Sequence, residues 1–306
     1  MECGSKKVKK NGIRRGVQRY KCSSCGTQFQ STRHPTRSAQ TLFKQYVWGR
    51  QTIEQLAEQT KKSHVWVKKQ LDNALGLERH LTPQPTVVAV DMTFWGRAYG
   101  VIVFRSPTLK ENICWAESQF ETPWVYKKGL EHLLKKGWSI TGAVIDGKRG
   151  IAQVFERAGI PVQYCQFHQI KTVTKYLTRK PKTEAGRELR SLTLSLSYTT
   201  EKLFRAELTA WYERHESFLQ ERSPAPHTKR GWDYTHKRVR SAHRSLMTNM
   251  CRLFTYQKYP ELNLPNTTNC LDGMFSQLKN RLAVHRGLER ERRYKVICEI
   301  LKGKRK

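Results

Sequence analysis

Apolar side chains within residues 37–82 recur at helical spacing, which predicts three short helices. Thr52 can cap a helix that begins at Ile53, and Ser63 can cap another that begins at His64. Two capped helices joined by a short turn are typical of a helix-turn-helix DNA-binding domain. Other small three-helix domains show the same pattern, so both interpretations stay open.

The last of these helices carries the candidate DNA contacts. It would direct His64, Lys68 and Lys69 toward a major groove. Val65 and Leu71 would pack inward.

After a proline-containing break at residues 83–85, the pattern changes to short buried strands and amphipathic helices. The predicted strands cover residues 87–90, 99–104, 113–116, 140–145 and 161–165, and the predicted helices cover residues 125–136 and 151–158. This is the element order of a ribonuclease H-like α/β sheet, in which the first and fourth strands are adjacent.

Two of the predicted strands each end in an aspartate, Asp91 and Asp146. Strand adjacency would place the two carboxylates side by side, where they repel unless a divalent cation lies between them. Asp272, at the start of a later helix, could supply the third carboxylate of a two-metal site. Each acid could instead serve only a turn or a helix N-terminus. Lys148 and Arg149 could neutralise a phosphate or form a solvated pair.

The region between the second and third acids is long and helical in its periodicity. Residues 172–262 are predicted to form an all-helical insertion, because this length is too great for a loop in a compact domain. Trp232 lies among basic residues and could stack on an unpaired base or line DNA. It could equally anchor a loop.

Cysteines in residues 1–36 have metal-ligand spacing. Cys22 and Cys25 form a knuckle that could supply half of a zinc shell, and Cys3 could supply a third ligand. A fourth ligand is not evident. It could have been lost upstream of a truncated start, it could be His34, or the site could be defective.

The charge of the chain predicts a polyanionic partner. The 306 residues contain 57 Lys and Arg against 25 Asp and Glu, a net charge of +32. Residues 1–36 hold nine basic residues and one acidic residue, and residues 279–306 hold eleven basic and three acidic residues. Residues 85–165 are more balanced, with ten basic and seven acidic residues. Flanking surfaces that bind phosphates around a carboxylate site would show this distribution. Charge alone does not separate DNA from RNA.

Apolar content and run length place the chain among folded proteins without membrane spans. The hydrophobic fraction of 38% supports packed cores. Apolar runs are far shorter than the roughly 18 residues of a bilayer span, and the first residues lack the apolar core of a secretory signal. We therefore expect no membrane partner and a cytoplasmic, nucleoid-associated location.

Several motifs occur in a recognisable order. They are Cys3-Gly4-Ser5, Gln18-Arg19-Tyr20 with Cys22-x-x-Cys25-Gly26, Val90-Asp91, Ile145-Asp146-Gly147, Cys165-x-x-His168, Thr268-Asn269-x-x-Asp272 and His285-Arg286-Gly287. In order and spacing they resemble the Mutator-type insertion-sequence transposases, in particular their variant zinc-binding subgroup. The resemblance covers nearly the whole chain. Two positions depart from it: the family usually has Glu where this chain has Asp272, and the family's first zinc knuckle has one more cysteine.

The resemblance implies a DDE transposase with its catalytic domain in residues 83–306. Asp91, Asp146 and Asp272 would hold two Mg²⁺ ions, with Cys165 and His168 supporting the active site or flanking DNA. The expected activity is Mg²⁺-dependent cleavage at terminal inverted repeats and strand transfer into target DNA. Zn²⁺ would be a further cofactor, and a homo-oligomer is expected because transposases commonly act as dimers. The alternatives are a non-catalytic transposase-derived regulator and a ribonuclease H-type nuclease that cuts without joining.

Overall fold

The computed structural model describes residues 3–14, 17–30, 35–76 and 80–303, apart from the side chains of residues 35–38. The chain divides into two compact units, residues 1–78 with 281–306, and residues 79–280. The C-terminal residues thus belong to the first unit, whereas the predicted boundaries placed them with the catalytic segment.

The first unit opens with a three-stranded antiparallel sheet. Its strands are β1 (Val8–Arg14), β2 (Val17–Cys22) and β3 (Gln28–Gln30), in that order across the sheet. The turn between β2 and β3 contains Gly26 at a φ of 72°, a backbone conformation that favours glycine. This turn brings the end of β2 close to the start of β3.

Three helices follow, and the two predicted start residues, Ile53 and His64, are confirmed. They are α1 (Pro35–Trp48), α2 (Ile53–Thr60) and α3 (His64–Asn73). The Thr52 hydroxyl accepts from the Gln55 backbone N–H at 3.2 Å, and the Gln55 side chain accepts from the Thr52 backbone N–H at 2.8 Å. This reciprocal capping box satisfies two backbone donors that the helix cannot pair internally.

The predicted inward-facing side of α3 is wrong at one residue. Val65 is 75% exposed, whereas Val67 and Leu71 are fully buried. A helix turns by about 100° per residue, so residues four apart share a face and residues six apart, such as Val65 and Leu71, do not. The buried side of α3 is therefore defined by Val67 together with Leu71.

The second unit is mixed α/β and is built on a five-stranded mixed sheet. Its strands are β4 (Thr86–Phe94), β5 (Gly100–Ser106), β6 (Glu111–Ser118), β7 (Ile140–Ile145) and β8 (Val162–Tyr164), in the order β6-β5-β4-β7-β8. The first three strands are antiparallel, and β7 and β8 run parallel to β4. The first and fourth strands of this sheet are therefore adjacent, as predicted. Helices α4 (Pro123–Lys135) and α5 (Ala152–Glu156) connect the later strands.

The predicted end of the first strand is wrong. Asp91 lies inside β4, because pairing with β5 continues past it to Phe94, which faces Gly100. Asp146 does follow directly on β7, as predicted. One candidate ligand is thus held by a strand on both sides and the other by a strand end.

The rest of the chain is mainly helical. The elements are α6 (Gln166–Leu177), α7 (Glu184–Leu194), a 3₁₀ helix (Ser195–Tyr198), α8 (Glu201–Arg214), α9 (Glu216–Gln220), β9 (Arg222–Pro224), β10 (Trp232–Tyr234), α10 (Lys237–Leu253), α11 (Thr255–Lys258), a second 3₁₀ helix (Pro260–Leu262), α12 (Asn269–Leu282) and α13 (Arg290–Lys302). The predicted insertion is therefore not all-helical, since β9 and β10 form an antiparallel hairpin. Pro224 at the end of β9 and Gly231, at a φ of 71°, favour a chain reversal over a continued helix.

One hydrophobic core joins the sheet to the helical region of the second unit. Buried side chains of the strands, such as Val90 and Ile145, belong to the same cluster as Phe204, Leu246 and Phe254 of the helical region. The helical region therefore packs as part of the second unit. Among the described residues, no helix combines the length and apolar character that a membrane span requires.

Candidate metal centre

Asp91 and Asp146 meet where β4 and β7 lie side by side. One ligand oxygen from each lies within 4.8 Å of the other and of a carboxylate oxygen of Glu121. Glu121 precedes α4 and was not predicted to take part. Three carboxylates from three separate parts of the chain therefore converge beside β4 and the end of β7.

Glu121 is held in place by two neighbours. The Tyr126 hydroxyl donates to it at 2.8 Å, and the Lys148 ammonium donates to its carboxylate at 3.0 Å and to its backbone carbonyl at 2.9 Å. The Lys148 backbone N–H also donates to Asp146 at 3.0 Å. Lys148, a predicted phosphate contact, thus neutralises a carboxylate, while Arg149 is exposed and forms no ion pair with a described residue.

Burial makes Asp91 and Asp146 weaker acids than an exposed aspartate. It raises the pKa of Asp91 to about 7, opposed by the Met92 backbone N–H, which donates to Asp91 at 2.7 Å, and reinforced by the charge of Asp146. Burial and the charge of Glu121 raise the pKa of Asp146. A low-dielectric site holding several like charges favours their neutral forms unless a cation compensates them.

A second cluster shares Asp91 with the first. Ligand atoms of Asp91, His168 and Asp272 lie within 4.8 Å of one another. Asp272 is in the first turn of α12, and Leu271 and Phe275 form the buried stripe of that helix. Its Oδ2 atom is buried and has no hydrogen-bond partner among the described residues. A buried, unpartnered carboxylate oxygen is costly unless something absent from the protein itself satisfies it.

The start of α12 is fastened to α6. The Thr268 backbone N–H and hydroxyl both contact the Cys165 sulfur at 3.3 Å, and the same hydroxyl lies 3.4 Å from His168 Nδ1. Asn266 is joined to Gln166 by a backbone bond of 2.9 Å and a side-chain bond of 3.0 Å. Cys165 and His168 therefore contact Thr268, and these contacts hold the start of the helix that carries Asp272.

Hydrogen bonding links the ionisation of Cys165 and His168. The bond to Cys165 raises the pKa of His168, and the charges of Asp91 and Asp272 add to this effect. Burial opposes ionisation of Cys165, but bonds from His168 and Thr268 outweigh it and lower the pKa of its thiol. Each shift favours the charged form of its group, so the charge of the imidazolium is offset by the thiolate beside it.

The structure thus brings the three predicted carboxylates to one region, but in two groups. Asp91 belongs to both groups, Asp146 to one and Asp272 to the other. The first group offers only oxygen ligands, which hard cations such as Mg²⁺ prefer, and the second adds one imidazole. These residues fit a pair of divalent cations, and their catalytic role stays a prediction.

The cysteines of the first sheet also converge. The sulfurs of Cys3, Cys22 and Cys25 lie within 4.8 Å of one another, and those of Cys3 and Cys22 are 3.6 Å apart. Backbone N–H groups of Cys25 and Ser24 lower the pKa of Cys22 to about 6. Three thiols, one of them acidic, suit a thiophilic ion. The alternative fourth ligand, His34, lies outside the described residues.

Helix α3 presents the predicted basic residues to solvent. His64, Lys68 and Lys69 are all exposed. The C-terminal end of α3 is tied to α13, because Arg292 donates to both carboxylate oxygens of Asp72, at 2.8 and 2.7 Å. The helix is therefore fixed to α13 while its three basic residues are exposed to solvent. DNA contact there remains a prediction.

Trp232 lies on the β9–β10 hairpin between two guanidinium groups. The Arg222 and Arg230 guanidinium carbons lie 4.1 and 5.9 Å from its ring centroid. Lys237, a basic residue close to Trp232 in the sequence, forms an ion pair with Asp233. Trp232 is half-buried, so it anchors the hairpin and keeps part of its ring accessible.

Two residues at these sites escaped sequence reasoning. Glu121 lies outside any motif, and the one available signal was an acid between a predicted strand and a predicted helix. Arg222 pairs across the hairpin with Tyr234, which places it diagonally opposite Trp232. That position becomes evident only once the hairpin is known.

Comparison of the chain with protein-family models and with curated proteins found no match. The functional interpretation therefore depends on the geometry of the two ligand clusters and on the fold that forms them.

Proposed function

We propose that this chain is the DNA transposase of an insertion sequence and that its second unit catalyses strand cleavage and strand transfer. The observation that carries the proposal is the sharing of Asp91 between two adjacent ligand clusters. A carboxylate common to two ligand sets would help to hold two divalent cations close together, as two-metal phosphoryl transfer requires. The motif resemblance supplies the reaction and the substrate class.

The fold of the second unit supports the same proposal. Its strand order, with β7 and β8 parallel to β4 on one side and β5 and β6 antiparallel on the other, is that expected of a ribonuclease H-like sheet. The helix-rich region enters after β8 and returns through α12, which brings Asp272 back to the sheet. A long helical insertion between the second and third acids is thereby compatible with a closed site.

The side chains suit two divalent cations. Asp91, Glu121 and Asp146 would hold one, and Asp91, His168 and Asp272 would hold the other. Such ions supply Lewis-acid activation of the attacking water or 3′-hydroxyl and stabilisation of the leaving oxygen. Tyr126 orients Glu121 and Thr268 orients His168, so the ligands are held before substrate arrives.

In the proposed enzyme the first unit recognises DNA. Helices α2 and α3, with the capped turn between them, suit a helix-turn-helix whose exposed His64, Lys68 and Lys69 face the duplex. The three cysteines suit Zn²⁺ in a ribbon-like fold. A net charge of +32 suits binding to terminal repeats and target DNA.

The proposal is tested by measuring cleavage of supercoiled DNA that carries the two ends of the element. Asp91→Asn and Asp146→Asn should abolish Mg²⁺-dependent cleavage and strand transfer while binding of the element ends is retained. Glu131→Gln, on the exposed face of α4, is the matched control and should cut like the wild type. Robust cutting by either aspartate variant would refute the proposal.

The wild-type result separates the proposal from its alternatives. Specific binding without cutting would indicate a transposase-derived regulator. Cutting without strand joining would indicate a nuclease.

A further inference from the structure

Helices α6 and α10 pack side by side and enclose a surface groove of about 450 Å³. Its lining residues all carry a hydroxyl or a positive charge: Thr172, Lys175 and Tyr176 from α6, and Lys237, Arg238 and Ser241 from α10. Within the described part of the chain, no carboxylate lines the groove. A surface of this composition attracts an anion with several oxygen acceptors.

The basic residues of the groove are available for such a ligand. Lys175, Lys237 and Arg238 are exposed. Of these three, only Lys237 forms an ion pair with a described residue, namely Asp233. Lys175 and Arg238, which form no ion pair with a described residue, and the three hydroxyl donors suit the phosphodiester backbone, because it offers a negative charge and oxygen acceptors at every nucleotide.

One face of α6 connects the groove to the candidate metal centre. His168, Thr172, Lys175 and Tyr176 are spaced four, three and one residues apart, which places them on the same side of the helix. Eight residues of helix between His168 and Tyr176 span roughly 12 Å. Each strand of a duplex carries one phosphate per about 3.4 Å of duplex axis. A duplex whose axis follows α6 over this length would therefore present about three phosphates of one strand.

The groove is fixed relative to the metal centre. The Gln169 side chain donates to Ser245 at 3.0 Å and accepts from Asn249 at 2.8 Å, and Val173 and Leu246 are buried between the two helices. Polar and apolar contacts thus lock α6 against α10. A strand seated in the groove would meet the ligand clusters at a set distance.

We infer that the α6–α10 groove binds the backbone of the DNA strand that flanks the scissile phosphate, through about three consecutive phosphates. The inference rests on the proposed function for the identity of the ligand. It extends to α6 and α10 a DNA contact that the sequence suggested only for the basic residues around Trp232.

The experiment compares two triple variants of the full chain with equal charge loss. Lys175→Gln, Lys237→Gln and Arg238→Gln together change the groove. The control is Lys127→Gln and Lys135→Gln on α4 together with Lys136→Gln directly after it. Binding to duplex DNA that carries an element end is measured by fluorescence anisotropy over a range of salt concentrations, with Ca²⁺ in place of Mg²⁺. The slope of log affinity against log salt should decrease by about 2 to 3 for the groove variant, at about 0.9 per lost phosphate contact. The control should keep the wild-type slope.

A second measurement does not depend on charge. Photoreactive benzoylphenylalanine in place of Tyr176 should crosslink to DNA within a few nucleotides of the cleavage position. The same group in place of the exposed Tyr198 in the first 3₁₀ helix should not. Equal salt slopes for the two triple variants, or equal crosslinking from both positions, would overturn the inference.

These outcomes are separable from the fate of the proposed function. If the wild type never cuts DNA but the groove variant has the lower slope, the groove stands and the transposase proposal fails. If the wild type cuts and the groove variant binds and cuts like the control, the proposal stands and the groove inference fails.

Discussion

At the scale of single residues, Asp91 combines burial with a position in both ligand clusters. Its side chain belongs to a residue that is only 9% exposed, and its pKa is about 7 against an ordinary value of 3.8. Because the folded-state pKa lies above the unfolded one, the acid contributes stability that is fully present below pH 4 and is lost as pH rises through about 7. A shift of about three units corresponds to a few kcal/mol at most.

We therefore predict that Asp91→Asn stabilises the metal-free protein increasingly as pH rises. The difference in free energy of unfolding between variant and wild type, measured by urea denaturation with a chelator, should grow from pH 5 to pH 8. Mg²⁺ should then stabilise only the wild type at pH 8, because it compensates the carboxylate charge. Glu207→Gln, an exposed acid on α8, should follow the wild type throughout. Parallel pH profiles for Asp91→Asn and the wild type would contradict the prediction.

Glu121 offers a sharper residue-scale test because no motif marks it. Glu121→Gln keeps the shape of the side chain and an acceptor for Tyr126 but removes the charge that would face a cation. We expect divalent-ion affinity, measured as Mn²⁺ binding by electron paramagnetic resonance, to fall by about 10- to 100-fold or more. Glu131→Gln should leave it unchanged. Unaltered Mn²⁺ binding by Glu121→Gln would remove this residue from the site.

At the scale of elements, the capping box of α2 predicts a measurable stability change. Thr52→Ala removes the acceptor for the Gln55 backbone N–H and should lower the free energy of unfolding of the first unit by about 1 kcal/mol. Thr52→Ser retains the hydroxyl and should lower it much less. Urea unfolding followed by circular dichroism measures both variants, and equal losses would show that the cap does not stabilise the helix.

Elements whose signals are local were predictable from the sequence. The start residues Ile53 and His64 follow from the side chains just before them, and the bounds of β7 follow from its apolar run. Helical arithmetic alone would also have excluded Val65 from the buried face of α3. The order of strands and helices was sufficient to predict that β4 and β7 are neighbours.

Features set by distant parts of the chain were not predictable in the same way. The extension of β4 beyond Asp91 depends on its pairing with β5. Glu121 reaches the site through contacts to Tyr126 and Lys148, the latter 27 residues away in sequence. The hairpin that places Arg222 beside Trp232 interrupts a region whose apolar periodicity is helical on both sides. In each case the decisive interaction is absent from the local pattern.

At the scale of the whole molecule, the two kinds of candidate metal site belong to different compact units. The cysteine cluster lies in the first unit, and both carboxylate clusters lie in the second. Thiols prefer Zn²⁺ and carboxylates prefer Mg²⁺, so each ion should act on its own unit. This separation leads to a prediction that a single full-length preparation can test.

Cys22→Ser should reduce bound zinc, measured by mass spectrometry, from about one ion per chain to nearly none. Hydrogen exchange should then accelerate in β1–β3, because a metal that links the ends of a small sheet contributes directly to its folding. Exchange in β4 and β7 should not change. Cys251→Ser, an exposed cysteine in the second unit, is the control and should retain zinc.

Addition of Mg²⁺ to the same protein should have the converse effect. Exchange should slow at Asp91 in β4 and at the start of α12, where a buried Asp272 oxygen would gain a partner, and β1–β3 should be unaffected. The two responses distinguish two chemically distinct sites from general stabilisation by cations. If Cys22→Ser retained zinc, or if Mg²⁺ protected β1–β3 as strongly as β4, the assignment of one metal type to each unit would be wrong.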